Sequence, residues 1–271
     1  MRVIRLDDVA DPSLPVGRGL RTGADGSVRP VAWHLAEEAA IAFLLNGRAF
    51  AVMMATPADL EDYALGFLLT ERVIAAPADL EEMRVAPVEG GLALNCIVPP
   101  RAEVAAADRR RSLAGRAGCG LCGAETLEAA FPSLPRVASR RPDPGIVLAA
   151  LLALPALQQR NARDRSTHAA AFFRADGTAV LVREDVGRHN ALDKLGGALL
   201  GAGIDPASGF GVLSSRMSVE MVQKAAILGL PVLASVSAPT ALALSVAARA
   251  GLAVCAQSGD GVVVFDSAGP R

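Results

Sequence analysis

Two cysteines, Cys119 and Cys122, have the residue type and spacing in this chain that point most directly to chemistry. They lie in Gly118-Cys119-Gly120-Leu121-Cys122-Gly123, so glycine stands beside both thiols. Glycine frees the backbone for tight turns and lets another molecule approach closely. Arg109, Arg110, Arg111 and Arg116 precede the pair. Positive charge near a thiol lowers its pKa and raises the fraction of thiolate, the form that attacks sulfur or binds metal. Three chemistries compete. Structural zinc needs four ligands, and no second CxxC, CxxH or HxxxH accompanies the pair, leaving only Cys96, Cys255, His34, His168 and His189 to complete a site. No structural metal is therefore expected. A thioredoxin-like dithiol sits between a strand and a helix start, whereas an Arg/Gly-rich stretch precedes this one. In the third, one thiolate takes a sulfane sulfur as a persulfide and delivers it to an acceptor. The residues alone do not separate the last two.

Further constellations lie downstream. Arg183-Glu184-Asp185-Val186-Gly187-Arg188-His189-Asn190 reads as the end of a strand and the start of a helix. Asp185 or Asn190 suits a cap, and a helix N-terminus attracts anions. Ser214-Ser215-Arg216-Met217-Ser218 reads the same way: hydroxyls, free N–H groups and an arginine converge at the carboxyl end of a strand, where open α/β sheets bind ligands. Ser237-Ala238-Pro239-Thr240 repeats the design one unit later. Simple capping is the competing reading of each. His168, on the apolar stretch His168-Ala169-Ala170-Ala171, reads first as a core histidine with its hydrogen bonds satisfied.

The elements that must position these residues are legible in the pattern. Residues 1–28 are polar and rich in Gly and Pro, and read as a loosely held arm. Strands are expected at 40–45 and 48–55 around Asn46-Gly47, a strong hairpin signal. Thr56 suits an N-cap and Pro57 a first helical position, for a helix running to about residue 74. Residues 82–98 give two more strands around Glu89-Gly90-Gly91. Residues 99–126, rich in Arg and Gly, read as a mobile connector that carries the cysteine pair. From residue 140 the pattern alternates: helix 145–159, strands 168–174 and 179–184, helix 188–202, strand 210–214, helix 218–229, strand 231–236, helix 238–250, and strands 252–256 and 261–265. Such alternation implies a partly parallel sheet covered by helices. The expected class is α/β (α+β): a smaller β-rich N-terminal domain with one helix over 30–100, a mobile linker over 101–135 and a C-terminal α/β domain over 140–271.

Composition narrows the function classes. The chain has 271 residues, 52% hydrophobic and 20% charged, with a net charge of -1 and 4% aromatics. That balance is globular, and it gives no reason to expect a nucleic-acid or membrane partner. No uncharged apolar run approaches the roughly 18 residues of a spanning helix. The opening MRVIRLDDVADPS has charges among its apolar residues and does not read as a secretory signal. The expected location is the cytoplasm, where thiols stay reduced.

Taken together, these segments resemble the FdhD family of formate dehydrogenase accessory sulfurtransferases. The resemblance runs in order over about residues 30–260: Leu65-Gly66-Phe67-Leu68-Leu69-Thr70-Glu71, the Cys119–Gly123 loop, His168-Ala169-Ala170, and Glu184 through Lys194. It continues with residues 214–218, then with Pro231-Val232-Leu233-Ala234-Ser235 and Ala238-Pro239-Thr240. It implies a C-terminal domain like the cytidine deaminase fold, a homodimer, and a reaction. Sulfur comes from a cysteine desulfurase and passes to the molybdenum cofactor, bis(molybdopterin guanine dinucleotide), bound as a substrate and destined for formate dehydrogenase. By this resemblance Cys119 is the persulfide carrier and Cys122 its helper. The family's cofactor-contacting segment maps to Cys255-Ala256-Gln257-Ser258-Gly259-Asp260, and Ser214, Ser215 and Arg216 are further candidate contacts. Many relatives have an aromatic residue first and an arginine third in that segment, where this chain has Cys255 and Gln257. A missing arginine removes one bidentate contact to phosphate or guanine. A cofactor chaperone without sulfur chemistry is the alternative. A zinc nucleoside deaminase is disfavoured, because Ala169-Ala170 follow His168 and residues 214–216 hold no thiol.

Overall fold

A computed structural model describes residues 1–5, 15–113, 133–138, 140 and 142–265, with the backbone alone for 108–113. Cys119 and Cys122 lie outside the described residues. The fold is mixed α/β, as expected, and is built around two sheets.

The first sheet has five strands: β1 (Arg2–Arg5), β4 (Ala39–Leu45), β5 (Arg48–Ala55), β6 (Glu82–Val88) and β7 (Gly91–Ile97), in the order β1-β6-β7-β4-β5. Asn46 and Gly47 both have positive φ, 48° and 81°, which is what a two-residue hairpin turn matched to strand twist requires. Alternation along β4 buries Ile41, Phe43 and Leu45 on one face. Helix α1 (Leu60–Thr70) packs there through Leu60, Tyr63, Ala64, Phe67 and Leu68, with the Phe43 and Phe67 rings 4.5 Å apart. Three expectations are corrected in this half. Residues 1–28 are not wholly a loose arm: β1 pairs in parallel with β6, and β2 (Val16–Thr22) forms an antiparallel ribbon with β3 (Val28–His34). Helix α1 starts at Leu60 rather than at Pro57, because the Thr56 backbone N–H and hydroxyl are held by residues 185 and 186 instead of capping. Of the expected linker, residues 100–113 form helix α2 (Pro100–Leu113), with Ala102 and Ala106 in the core, and Leu134 and Val137 pack on the C-terminal core.

The second sheet has six strands: β8 (His168–Arg174), β9 (Ala179–Asp185), β10 (Gly209–Leu213), β11 (Val232–Ser235), β12 (Ala253–Ser258) and β13 (Gly261–Phe265). Their order is β13-β12-β11-β10-β8-β9. β10, β11 and β12 run parallel; β8, β9 and β13 pair antiparallel to their neighbours. β10 and β11 are buried on both faces, which is why they read as continuous apolar runs. Helix α3 (Pro144–Leu157), followed by the short α4 (Asn161–Asp164), covers one face through Val147, Ala150, Leu151 and Leu154. Helices α5 (Arg188–Gly201), α6 (Val219–Leu228) and α7 (Ala241–Ala250) cover the other. Among the described residues no helix is long and apolar enough to cross a membrane.

The two halves meet where α1 crosses α5, and there the backbones touch. A Cβ on Gly66 would stand 1.7 Å from the Asp193 carbonyl oxygen, and one on Gly197 1.9 Å from that of Asp62. Buried polar side chains lock this seam. Lys194 Nζ lies 2.6 Å from Asp185 Oδ2 and donates to the Thr56 carbonyl at 2.9 Å. Lys224 donates to both Asp193 oxygens at 2.8 and 2.9 Å and to Thr70 Oγ1 at 2.9 Å, and pairs with Glu71. The Tyr63 hydroxyl donates to Asn190 Oδ1 at 2.8 Å.

Candidate functional site

Strand direction alone gathers the sequence candidates at one edge. β10, β11 and β12 are parallel, so the segments after them, 214–218, 236–240 and 259–260, leave the same edge of the sheet. β8 begins there and β9 ends there, adding His168 and the turn into α5. Met217 and Pro239 bridge the first two segments, and the Thr240 N–H donates to the Met217 carbonyl at 3.1 Å. The starts of α5, α6 and α7 all face this edge, with Gly187, Ser218 and Thr240 as their N-cap residues. Only Thr240 caps its helix through its side chain, accepting from Ala243 N–H at 3.1 Å. The Gly187 cap gives α5 no side-chain partner, which suits an anionic ligand, whereas at α6 the Glu220 carboxylate already accepts its own N–H and the Ser218 hydroxyl.

The candidate contacts divide by what already holds them. Ser214 Oγ accepts the Ala169 N–H at 2.7 Å and so extends the pairing of β10 with β8. The Ser215 hydroxyl is buried and donates to the Arg216 carbonyl at 3.1 Å. Arg216 is exposed, and its side chain makes no hydrogen bond or ion pair with the described residues. Of segment 255–260, Cys255 and Ala256 are buried, and Cys255 packs in the core under α3. Gln257 is half-buried, while Ser258, Gly259 and Asp260 are exposed at the tip between β12 and β13. Arg216 and the 258–260 tip thus leave the same edge of the sheet, after strands with one strand between them. Cys255 is not at that surface. Burial alone pushes its thiol up to about 12, and does the same to Cys96, which is buried under α1.

The stretch 184–194 is divided between the edge and the seam. Glu184 accepts the N–H groups of Arg160 and Asn161 at 2.8 and 2.9 Å. Asp185 Oδ1 accepts from Gly187 N–H at 2.8 Å and from Asn190 Nδ2 at 2.9 Å, closing the turn between β9 and α5. Asn190, Asp193 and Lys194 point into the seam. His168 is half-buried; burial first, then Arg188 and His189, push its pKa down, so it favours the neutral form. His189 Nε2 lies 3.8 Å from Glu220 Oε2, beyond hydrogen-bond reach. Glu220 had no spacing signal of its own in the sequence; the one cue to it is that it stands two residues after Ser218, at the start of a helix. Among the described residues no group of three or more His, Cys, Asp or Glu is placed to hold a metal.

Comparison with known proteins places this geometry among relatives. The family model described as the FdhD/NarQ family matches residues 36–268. A protein of Bordetella petrii named sulfur carrier protein FdhD is 48% identical over 222 residues, 82% of this chain and 80% of that one. One of the same name from Xanthomonas campestris pv. campestris strain B100 is 47% identical over 247 residues, 89% and 88% of the two chains. The crystal structure of a proposed formate dehydrogenase accessory protein from Desulfotalea psychrophila superposes with a TM-score of 0.70. It covers 94% of this chain and 97% of its own at 23% identity, a likeness of fold.

Proposed function

The chain belongs to the FdhD/NarQ family, and on that premise we propose that it is a sulfur carrier in the maturation of a formate dehydrogenase. Cys119 thiolate attacks the outer sulfur of a cysteine desulfurase persulfide. A new S–S bond forms, the desulfurase thiolate leaves, and Cys119 holds the sulfane sulfur. That sulfur passes to the molybdenum cofactor, bis(molybdopterin guanine dinucleotide), bound as substrate at the carboxyl edge of the second sheet. Cys122 assists by attacking the Cys119 sulfur, which releases sulfide and leaves a Cys119–Cys122 disulfide. Arg216, the α5 start and the 258–260 tip are the groups suited to the cofactor's phosphates and guanine. The carrier works in the cytoplasm, as a homodimer.

The observation that carries this reading is the fate of the other thiols. Cys96 and Cys255 are buried and pushed up to about 12, so at neutral pH neither supplies a thiolate. The glycine-flanked pair is left for sulfur traffic in a chain whose relatives are named sulfur carriers. The test is mass spectrometry of the full-length chain after incubation with a cysteine desulfurase and cysteine. One added sulfur on the peptide holding Cys119 is expected, and Cys119→Ala should fail to support formate dehydrogenase activity. Full activity with Cys119→Ala, together with unchanged GDP binding, would instead favour a chaperone that only delivers the cofactor.

A further inference from the structure

The contacts assigned so far do not use His189. Its side chain is 20% exposed, yet its Nε2 atom is buried and makes no hydrogen bond. Among the described residues it is the one buried side-chain nitrogen or oxygen in that condition. Buried polar atoms are almost always paired, and an exception needs a reason. The second residue of α5, His189 stands at the edge where β8, β9 and β10 meet the starts of α5 and α6.

Its neighbours are arranged for proton chemistry. From α6, Glu220 faces it, its carboxylate fixed by a 2.8 Å hydrogen bond from the Ser218 hydroxyl. Burial pushes the Glu220 carboxyl up, but His189, Ser218 and its own backbone N–H outweigh burial and hold it below the usual range. The carboxylate is therefore ionised where it faces the ring. From β8, His168 stands near, disfavoured as a cation by burial and by Arg188 and His189. The imidazole thus lies between a fixed carboxylate and a cationic neighbourhood, on two long helices and a sheet edge rather than on a free loop.

We propose that His189 is the proton-handling residue of this edge and that Glu220 is its positioning residue. The inference rests on the sulfur-carrier reading and deepens it. When the Cys122 thiolate attacks the Cys119 sulfur, the Cys119–Cys122 bond forms, the persulfide S–S bond breaks, and the outer sulfur leaves with the electron pair as an anion that must gain a proton. The His189 imidazolium supplies it: the ring N–H bond breaks, an S–H bond forms, and the N–H electron pair stays on neutral imidazole. Glu220 remains a carboxylate throughout, and the exposed part of the ring regains a proton from water.

The experiment follows activation of a formate dehydrogenase apoenzyme by persulfide-loaded full-length protein, across about pH 5–9, the range in which histidine changes charge. Wild type, His189→Gln and Glu220→Gln are compared, with persulfide loading read by mass and GDP affinity by calorimetry. In His189→Gln the activation rate should fall about 100-fold or more, the scale of a lost general acid, and one limb of the pH profile should vanish. Persulfide loading should stay within about twofold, because it does not need this proton, and GDP affinity separates any loss of cofactor binding at the α5 start from loss of the proton donor. In Glu220→Gln activation should fall several-fold while the limb is kept, since the ring remains but loses the carboxylate that positions it. Activation by His189→Gln at the wild-type rate with the same limb overturns the proposal. Should His189→Gln fail to fold, activation by Glu220→Gln at the wild-type rate overturns it equally. Failure of wild type itself to load sulfur sinks the carrier reading and this inference with it, while normal loading with His189-independent activation sinks this inference alone.

Discussion

Sulfur transfer needs a thiol that can lose its proton, and burial decides which thiols can. Cys96 sits among Ile41, Phe43 and Tyr63 in the first core; Cys255 sits under α3 in the second. No positive charge offsets burial at either, so both are pushed up to about 12. Iodoacetamide at about pH 8 should therefore leave both unmodified in the native protein and modify both after denaturation. Peptide mapping reads the outcome, and fast native labelling of Cys255 would place it at the surface after all. An isolated cysteine reads first as a small buried hydrophobe, and Cys255 is one, although the family resemblance puts it in the cofactor-contacting segment. Alternation tells inside from outside only when one face is wet, and β12 is covered on both faces along Val254, Cys255 and Ala256. The cysteine pair at 119 and 122 was legible because glycine and spacing are local signals.

At the scale of elements, the crossing of α1 and α5 is set by two glycines. Both helices present their backbone, and neither site has room for a methyl group. Gly66→Ala and Gly197→Ala should each destabilise the protein by about 3 kcal/mol, the upper range of overpacking in a close contact. Gly19→Ala, where an added Cβ meets nothing within 4 Å, should be nearly neutral in the same urea titration. The elements legible in sequence were those whose cause is local: the Asn46-Gly47 hairpin, the turn at Gly90, and the alternating strands and helices from 144 onward. Those missed had other causes. β1 is four residues long and exists because β6 is there to pair with it. α2 was hidden by its arginines, although Ala, Arg, Glu and Leu all favour helix and could have revealed it. The false start of α1 followed a correct cap signal, Thr56-Pro57, that tertiary bonds to residues 185 and 186 overrode.

For the molecule as a whole, the seam makes two sheets one cooperative unit. The stretch 184–194 looked like a ligand motif, yet half of it ties α5 to α1, because spacing cannot distinguish a buried ion pair from a binding site. Lys224 shows how strongly the halves are joined: it reaches Thr70 and Glu71 of the first half and Asp193 of the second. Burial works against its charge, but Asp193 and Glu71 outweigh burial and hold its pKa above the usual 10.5. A raised lysine stabilises the fold fully below the unfolded value and loses that contribution as pH rises through the folded one. Lys224→Met leaves Asp193 buried without its cation, which should cost about 3–5 kcal/mol near neutral pH. Lys224→Met with Asp193→Asn should recover part of that loss, since the stranded charge is gone. The gap between wild type and Lys224→Met should stay level through neutral pH and narrow above about pH 10.5, as wild type loses its own pair. Urea unfolding followed by circular dichroism at each pH measures it. A gap that did not narrow in alkali would mean that Lys224 contributes by packing alone, and two separate transitions in wild type would mean that the seam does not couple the halves.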